Sequence, residues 1–161
     1  MPRFTLCALA VAAFWTTSLG AQAAMPNTLS KEEKAQGFRL LFDGTTGAGW
    51  RGFRKPDLPA GWQAADGALT RVAQAGDLVT VDQYANFELR LQWKLEPGGN
   101  SGIMFRVSED LEDTYESGPE MQVLDDAGHR DGLSRLTAAG AAYGLYPSPA
   151  GIVHPAGEWN D

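Results

Sequence analysis

The chain has 161 residues, with 13 Lys and Arg against 20 Asp and Glu, and a single cysteine. Its acidic balance argues against nucleic acid or anionic membrane as a partner, since both recruit basic surface. One cysteine excludes an internal disulfide, and the length suits one domain with its own core.

Residues 1–23 read as a cleaved signal peptide. Arg3 gives a basic start, Phe4 to Leu19 is mostly apolar, and Ala21, Gln22 and Ala23 form a small-x-small cleavage pattern. The apolar run is too short for a membrane anchor and has no basic stop after it. A periplasmic or secreted bacterial protein is expected, a setting in which a domain without disulfides is tolerated. Cys7 lies too near the N-terminus for a lipoprotein cysteine. Removing the segment leaves 12 basic and 20 acidic residues, a net charge of −8. The acids are scattered, as on a solvated surface.

Residues 24–37 read as a helical lead-in. Thr28 to Gln36 suits one short helix, with Ser30 as cap, Glu33 completing a capping box and Gly37 ending it. From residue 38 to 161 the pattern is strands and turns. Phe38 to Phe42 reads as a strand stopped at Asp43 and Gly44. Trp62 to Ala65 and Ala68 to Val72 flank Asp66 and Gly67, a two-residue hairpin signal. Leu78 to Val81 is a further short strand. The clearest strand is Phe87 to Leu95, where Phe87, Leu89, Leu91, Trp93 and Leu95 alternate with Glu88, Arg90, Gln92 and Lys94.

Pro97 to Gly102 reads as a flexible turn, and Ile103 to Val107 as a returning strand. An acidic loop leads to the strand Glu120 to Leu124. Its period of two sets Met121 and Val123 on an oily face and Glu120 and Gln122 on a polar one. From Thr137 to Gly157, Ala, Gly and Pro predict a long ordered loop of the kind that walls a site. Short strands at regular spacing predict an antiparallel all-β sandwich. Residues 157–161 resemble the approach to a further strand, so the C-terminal strands are expected to be missing from the sequence.

Ordered motifs carry a resemblance through most of residues 38–161. They are Leu40 to Gly44, Gly49 to Phe53, Gly61 and Trp62, Asp66 to Leu69, Gly99 to Ile103 with Phe105 and Arg106, Gly118 to Asp125, Tyr143 to Tyr146, and Pro155 to Asn160. Of these, the Asn100 to Ile103 turn combined with Gly118 to Asp125 is the most specific. The chain resembles the 3-keto-disaccharide hydrolase family. The resemblance implies a concanavalin A-like jelly-roll sandwich and a carbohydrate substrate carrying a ketone at C3.

A C3 ketone acidifies the C2 hydrogen, so a base can start elimination at C1, and water then completes a net hydrolysis. Such a site needs a base, an electrophile for the enolate oxygen and a proton donor. It does not need the paired carboxylates of ordinary glycosidases. Glu120 is the leading candidate, as base or metal ligand, although a strand Glu is commonly just a solvated carboxylate. Gln122 suits a sugar hydroxyl or a metal through its carbonyl oxygen. His129 suits base, acid or ligand. Glu120, Gln122 and His129 together would hold Mn, Mg or Ca better than a structural zinc.

Asn100 and Ser101 sit in a turn that can approach a ligand. Arg106 suits a substrate oxygen or a nearby acid, and Tyr143 suits stacking, proton donation or core packing. Trp93 falls in the apolar register of its strand. Trp50, Trp62 and Trp159 suit the core more than a sugar platform, and His154 is left outside the site. The alternative is a non-catalytic carbohydrate-binding jelly roll, which the same fold would serve equally well.

Overall fold

The computed structural model describes residues 25–161, so the expected signal segment, with Cys7 and Trp15, lies outside the described residues. One α-helix, α1 (Lys31–Ala35), precedes six strands: β1 (Trp50–Gly52), β2 (Trp62–Ala65), β3 (Ala68–Arg71), β4 (Leu78–Thr80), β5 (Asn100–Met104) and β6 (Glu120–Leu124). The protein is all-β apart from that helix and two 3-10 turns, Thr114–Glu116 and Arg130–Leu133. The helix forms where its caps dictate. Ser30 accepts from the Glu33 amide at 3.1 Å, and the Glu33 carboxylate accepts from the Ser30 amide at 2.8 Å.

The strands pair as three antiparallel ladders, β1 with β4, β2 with β3 and β5 with β6. The β2–β3 hairpin turns on Asp66 and Gly67, both at positive φ (51° and 75°). That is the geometry of the twist-matched two-residue turn that an Asp-Gly pair favours. Trp50–Gly52 is a strand the sequence pattern missed. It is three residues long, with Trp50 and Arg51 half-buried and Gly52 buried, so its burial does not alternate.

Two expected strands are absent. Phe38 to Phe42 runs as irregular chain, its Leu41 carbonyl accepting from the Trp50 indole at 2.6 Å. Phe87 to Leu95 has the right alternation but, among the described residues, pairs only near its end, where the Leu95 carbonyl accepts from the Gly157 amide at 2.8 Å. Trp93 and Asn160 exchange two backbone bonds of 2.8 Å. Alternation gives a segment one dry face and one wet face, but a strand exists only where a neighbour accepts its backbone bonds. Among the described residues no other segment does so here, and Phe87, Leu89 and Leu91 remain 52%, 40% and 37% exposed. The returning strand also shifts, running from Asn100 to Met104 instead of Ile103 to Val107.

The densest part of the fold surrounds β6. One edge pairs with β5 in the register Asn100 to Leu124, Gly102 to Gln122 and Met104 to Glu120. The other edge is taken by the Ala-rich loop. The Gln122 amide donates to the Ala141 carbonyl at 3.0 Å, the Gln122 carbonyl accepts from the Gly140 amide at 2.8 Å, and the Tyr143 amide donates to the Glu120 carbonyl at 3.0 Å. Val123, Leu124, Ala138, Ala139 and Ala141 are buried around it.

Asp125 and Asp126 anchor both neighbours. Asp125 Oδ2 accepts from the Gly98 amide at 2.7 Å, and Asp126 Oδ1 accepts from the Ala139 amide at 2.8 Å. Leu124 is fully buried in this cluster, so Leu124→Ala is expected to cost about 2–5 kcal/mol, read from urea denaturation.

The first ladder is tied to the acidic loop by a two-pronged ion pair. Arg51 donates to both oxygens of Glu109, at 2.6 and 2.8 Å, and the Arg54 amide also donates to Glu109. These bonds, the Arg51 guanidinium first, pull the Glu109 carboxyl down to about 2. A carboxyl lowered on folding stabilises the fold above its unfolded value and loses that contribution as it is protonated. Glu109→Gln should therefore lower Tm slightly at neutral pH. The gap to the parent should close as pH falls from about 4.5 towards 2, and it should shrink with added salt because Glu109 is partly exposed.

Candidate functional site

An open cleft of about 550 Å³ lies on one face of the β5–β6 ladder. The pleat explains its floor. Side chains directly opposite on an antiparallel pair share a face, so Asn100, Gly102 and Met104 lie on the same side as Leu124, Gln122 and Glu120. Asn100, Met104, Glu120 and Gln122 line the cleft from this floor. Tyr143 and Leu145, from the loop paired with the far edge of β6, form one wall. Tyr115, Gly118 and Pro119 form the other.

Glu120 is half-buried, and its carboxyl is raised above the ordinary carboxylate value. Burial is the main cause, and the negative charge of Asp77 adds to it. Asp77 is held nearby by the Thr114 hydroxyl, which donates to its Oδ2 at 2.6 Å and is itself buried. No motif or periodicity marks this second carboxylate. Asp77 sits in an irregular segment 43 residues before Glu120, and only the folded loops bring them close.

Gln122 departs from the expectation that its face would be wet. It is 1% exposed, on a strand flanked at both edges by β5 and the Ala-rich loop. The oily partner face is the more open one at Met121, which is 37% exposed. The Gln122 carboxamide is oriented by chemistry. Its Oε1 accepts from the Val123 amide at 3.2 Å, so its NH₂ points the other way. That NH₂ has no protein partner among the described residues, and Gln122 is one of the residues that line the cleft. Gln122 therefore has its NH₂ free as a hydrogen-bond donor.

The remaining expected residues divide clearly. Asn100 lines the cleft, whereas Ser101, one residue on, points to the opposite face beside Val123. Arg106 is exposed beyond the end of β5, in the left-handed region at φ 58°, and has no ion pair among the described residues. Tyr143 lines the cleft, and its hydroxyl donates to Asp131 Oδ2 at 3.1 Å. That bond is the main reason its phenol is held above the ordinary value.

His129 lies outside the cleft lining. It caps the Arg130–Leu133 turn, its Nδ1 accepting from the Asp131 amide at 3.2 Å, and so reaches the cleft only through Asp131 and Tyr143. The set of Glu120, Gln122 and His129 expected to hold a divalent cation is thus split between the cleft and its outside. No group of three or more His, Cys, Asp or Glu side chains converges among the described residues.

No Trp floors the cleft. Trp50 and Trp62 are half-buried with their indole N–H groups on the Leu41 and Gly76 carbonyls. Trp159 is exposed, with the Lys94 ammonium 4.9 Å from its ring centre. The aromatic walls are tyrosines, which a pattern search for sugar-stacking Trp overlooks. Tyr115, Leu145, Asp131 and Asp77 carry no signal in the sequence because each lies outside the regular strands, and Met104 because its strand begins earlier than the pattern predicts.

Comparison with known proteins follows this geometry. Residues 37–161 match the model of a family described as the 3-keto-alpha-glucoside-1,2-lyase-like domain. The chain is 34% identical to a curated 3-keto-disaccharide hydrolase of Bacteroides thetaiotaomicron, over 93% of this chain and 59% of that protein. Its fold is similar to a crystal structure assigned provisionally to a glycosyl hydrolase of Parabacteroides distasonis. The TM-score is 0.68 at 37% identity, over 83% of this chain and 66% of the other. The chain therefore spans under two thirds of the length of each relative. It belongs to the family of 3-keto-α-glucoside-1,2-lyase-like domains.

Proposed function

We propose that this cleft cleaves 3-keto-glucosides by removing the C2 proton, eliminating the C1 substituent and adding water, a net hydrolysis of the glycosidic bond. The substrate class comes from the family description and the curated relative. The observation that carries the reading is the pair on β6. A half-buried carboxylate with a raised pKa stands two residues from a buried carboxamide whose NH₂ has no protein partner among the described residues.

Each step needs one of these groups. Glu120 takes the proton from C2, and the C–H electron pair becomes an enolate with its charge on the C3 oxygen. The Gln122 NH₂ donates to that oxygen and so stabilises the charge that develops there. The enolate re-forms the ketone as the C1–O bond breaks. Water then adds its oxygen to C1, and Glu120 returns its proton to C2. The second proton of that water balances the departing alkoxide. Asn100 binds a sugar hydroxyl, and the Tyr115 and Tyr143 rings hold the faces of the sugar. Raising the Glu120 pKa strengthens it as a base once it is ionised.

Incubation of the chain with a chromogenic 3-keto-α-glucoside should release the aglycone, while the same glucoside with its C3 hydroxyl intact should stay unchanged. Glu120→Gln should lower kcat by about 10²–10⁴-fold, the usual worth of a general base. Binding without turnover would instead identify a carbohydrate-binding module.

The pH dependence has a defined sign. Only ionised Glu120 abstracts a proton, so kcat should fall on the acid side with a midpoint above that of an ordinary carboxylate. Stability should move the other way. A carboxyl raised on folding is ionised at a cost above its folded pKa, and that cost vanishes below its unfolded value. Glu120→Gln should thus melt no lower than the parent at neutral pH, an advantage that disappears in acid, as thermal melts at both pH values would read.

A further inference from the structure

The floor of the cleft has a gap at Gly102, and the gap is filled by Glu120. A Cβ built on Gly102 would meet three atoms first, and all belong to the Glu120 side chain. Oε1 would overlap it outright, with Cδ at 2.6 Å and Cγ at 2.8 Å. The two residues are diagonal neighbours on one face, since Gly102 pairs with Gln122 and Met104 pairs with Glu120. The Glu120 carboxylate therefore lies flat across the backbone of β5, in the space a side chain at 102 would take.

Gly102 is not required by its backbone. It lies inside a strand, where Gly is less favourable than Ala, and it is not among the residues at positive φ. Other glycines near the site differ in this respect. At Gly118 a Cβ would strike the Phe105 carbonyl at 2.5 Å, and at Gly132 it would strike the Asp126 backbone, neither of which can step aside. At Gly102 the obstacle is the mobile end of a side chain.

We propose that Gly102 is a positioning residue, whose missing side chain holds the Glu120 carboxylate down on the cleft floor beside the Gln122 carboxamide. Any larger residue there pushes the carboxylate up and outward, away from the carbon it deprotonates and into water. This inference rests on Glu120 being the base for its kinetic consequence. Its structural consequence is independent of that reading.

The test is Gly102→Ala, alone and with Glu120→Ala. Misplacing a reacting group by about 1 Å can cost about 10²-fold, so Gly102→Ala should lower kcat on the 3-keto-glucoside by that order. KM should change little. In the Glu120→Ala background, Gly102→Ala should lower the residual rate no further. A crystal structure of Gly102→Ala should show the carboxylate lifted off the floor with the β5 backbone unmoved.

Full kcat in Gly102→Ala with an inactive Glu120→Gln would overturn the proposal. So would a raised KM at unchanged kcat, because residue 102 would then simply touch the sugar. Full activity in Glu120→Gln would overturn the function reading instead, and the crystal structure alone would judge Gly102. Should Gly102→Ala fail to fold, Gly102→Ala with Glu120→Ala should fold, and its failure too would place the obstacle elsewhere and overturn the proposal.

Discussion

The constraint on which this structure depends is the pairing of β6 along both edges. Strand β5 takes one side and the loop from Gly140 to Tyr143 takes the other. A strand hydrogen-bonded on both sides cannot slip without losing both sets of bonds, and a slip of one residue would turn every side chain to the opposite face. Double pairing thus fixes which of its residues look into the cleft. It also covers the strand, which is why a glutamine comes to be among the most buried side chains.

Burial by backbone pairing has a chemical result. In an open sheet Gln122 would trade its hydrogen bonds with water and orient nothing. Enclosed, it satisfies its oxygen on the Val123 amide and has its NH₂ free as a donor. The same enclosure raises Glu120, and Asp77 raises it further. One strand therefore carries a carboxyl raised by burial and, two residues away, a carboxamide held by a backbone amide.

The sequence carried the parts of this that depend on local rules. The helix cap at Ser30, the Asp66–Gly67 turn, the Glu120–Leu124 strand and the loop that walls the site each follow from residue types at fixed short spacings. The failures share one cause. Phe87 to Leu95 alternates as a strand should, but pairing depends on a distant partner, which period two does not encode. Ser101 was grouped with Asn100 by adjacency, although the pleat sends adjacent residues to opposite faces. His129 is near Glu120 in sequence, but its Nδ1 accepts from the amide two residues ahead, outside the cleft lining. Asp77 and Tyr115 were invisible for the converse reason, being far in sequence and near in space.

Position 102 joins the two levels. In the family motif, Gly102 follows Asn100 and Ser101 and reads as part of a flexible turn. In the structure it is inside a strand, at an ordinary φ, where flexibility is a cost and not a benefit. A glycine kept where the backbone does not ask for it points to something occupying the space of its missing side chain. Here the occupant is a carboxylate whose charge is already disfavoured by burial and by Asp77. Solvation alone would draw that charge outward. What keeps it on the floor is steric: the hollow over Gly102 on one side and the walls of Tyr143 and Pro119 on the other. The Glu120 carboxylate fills that hollow, so its place in the cleft depends on a residue that has no side chain of its own.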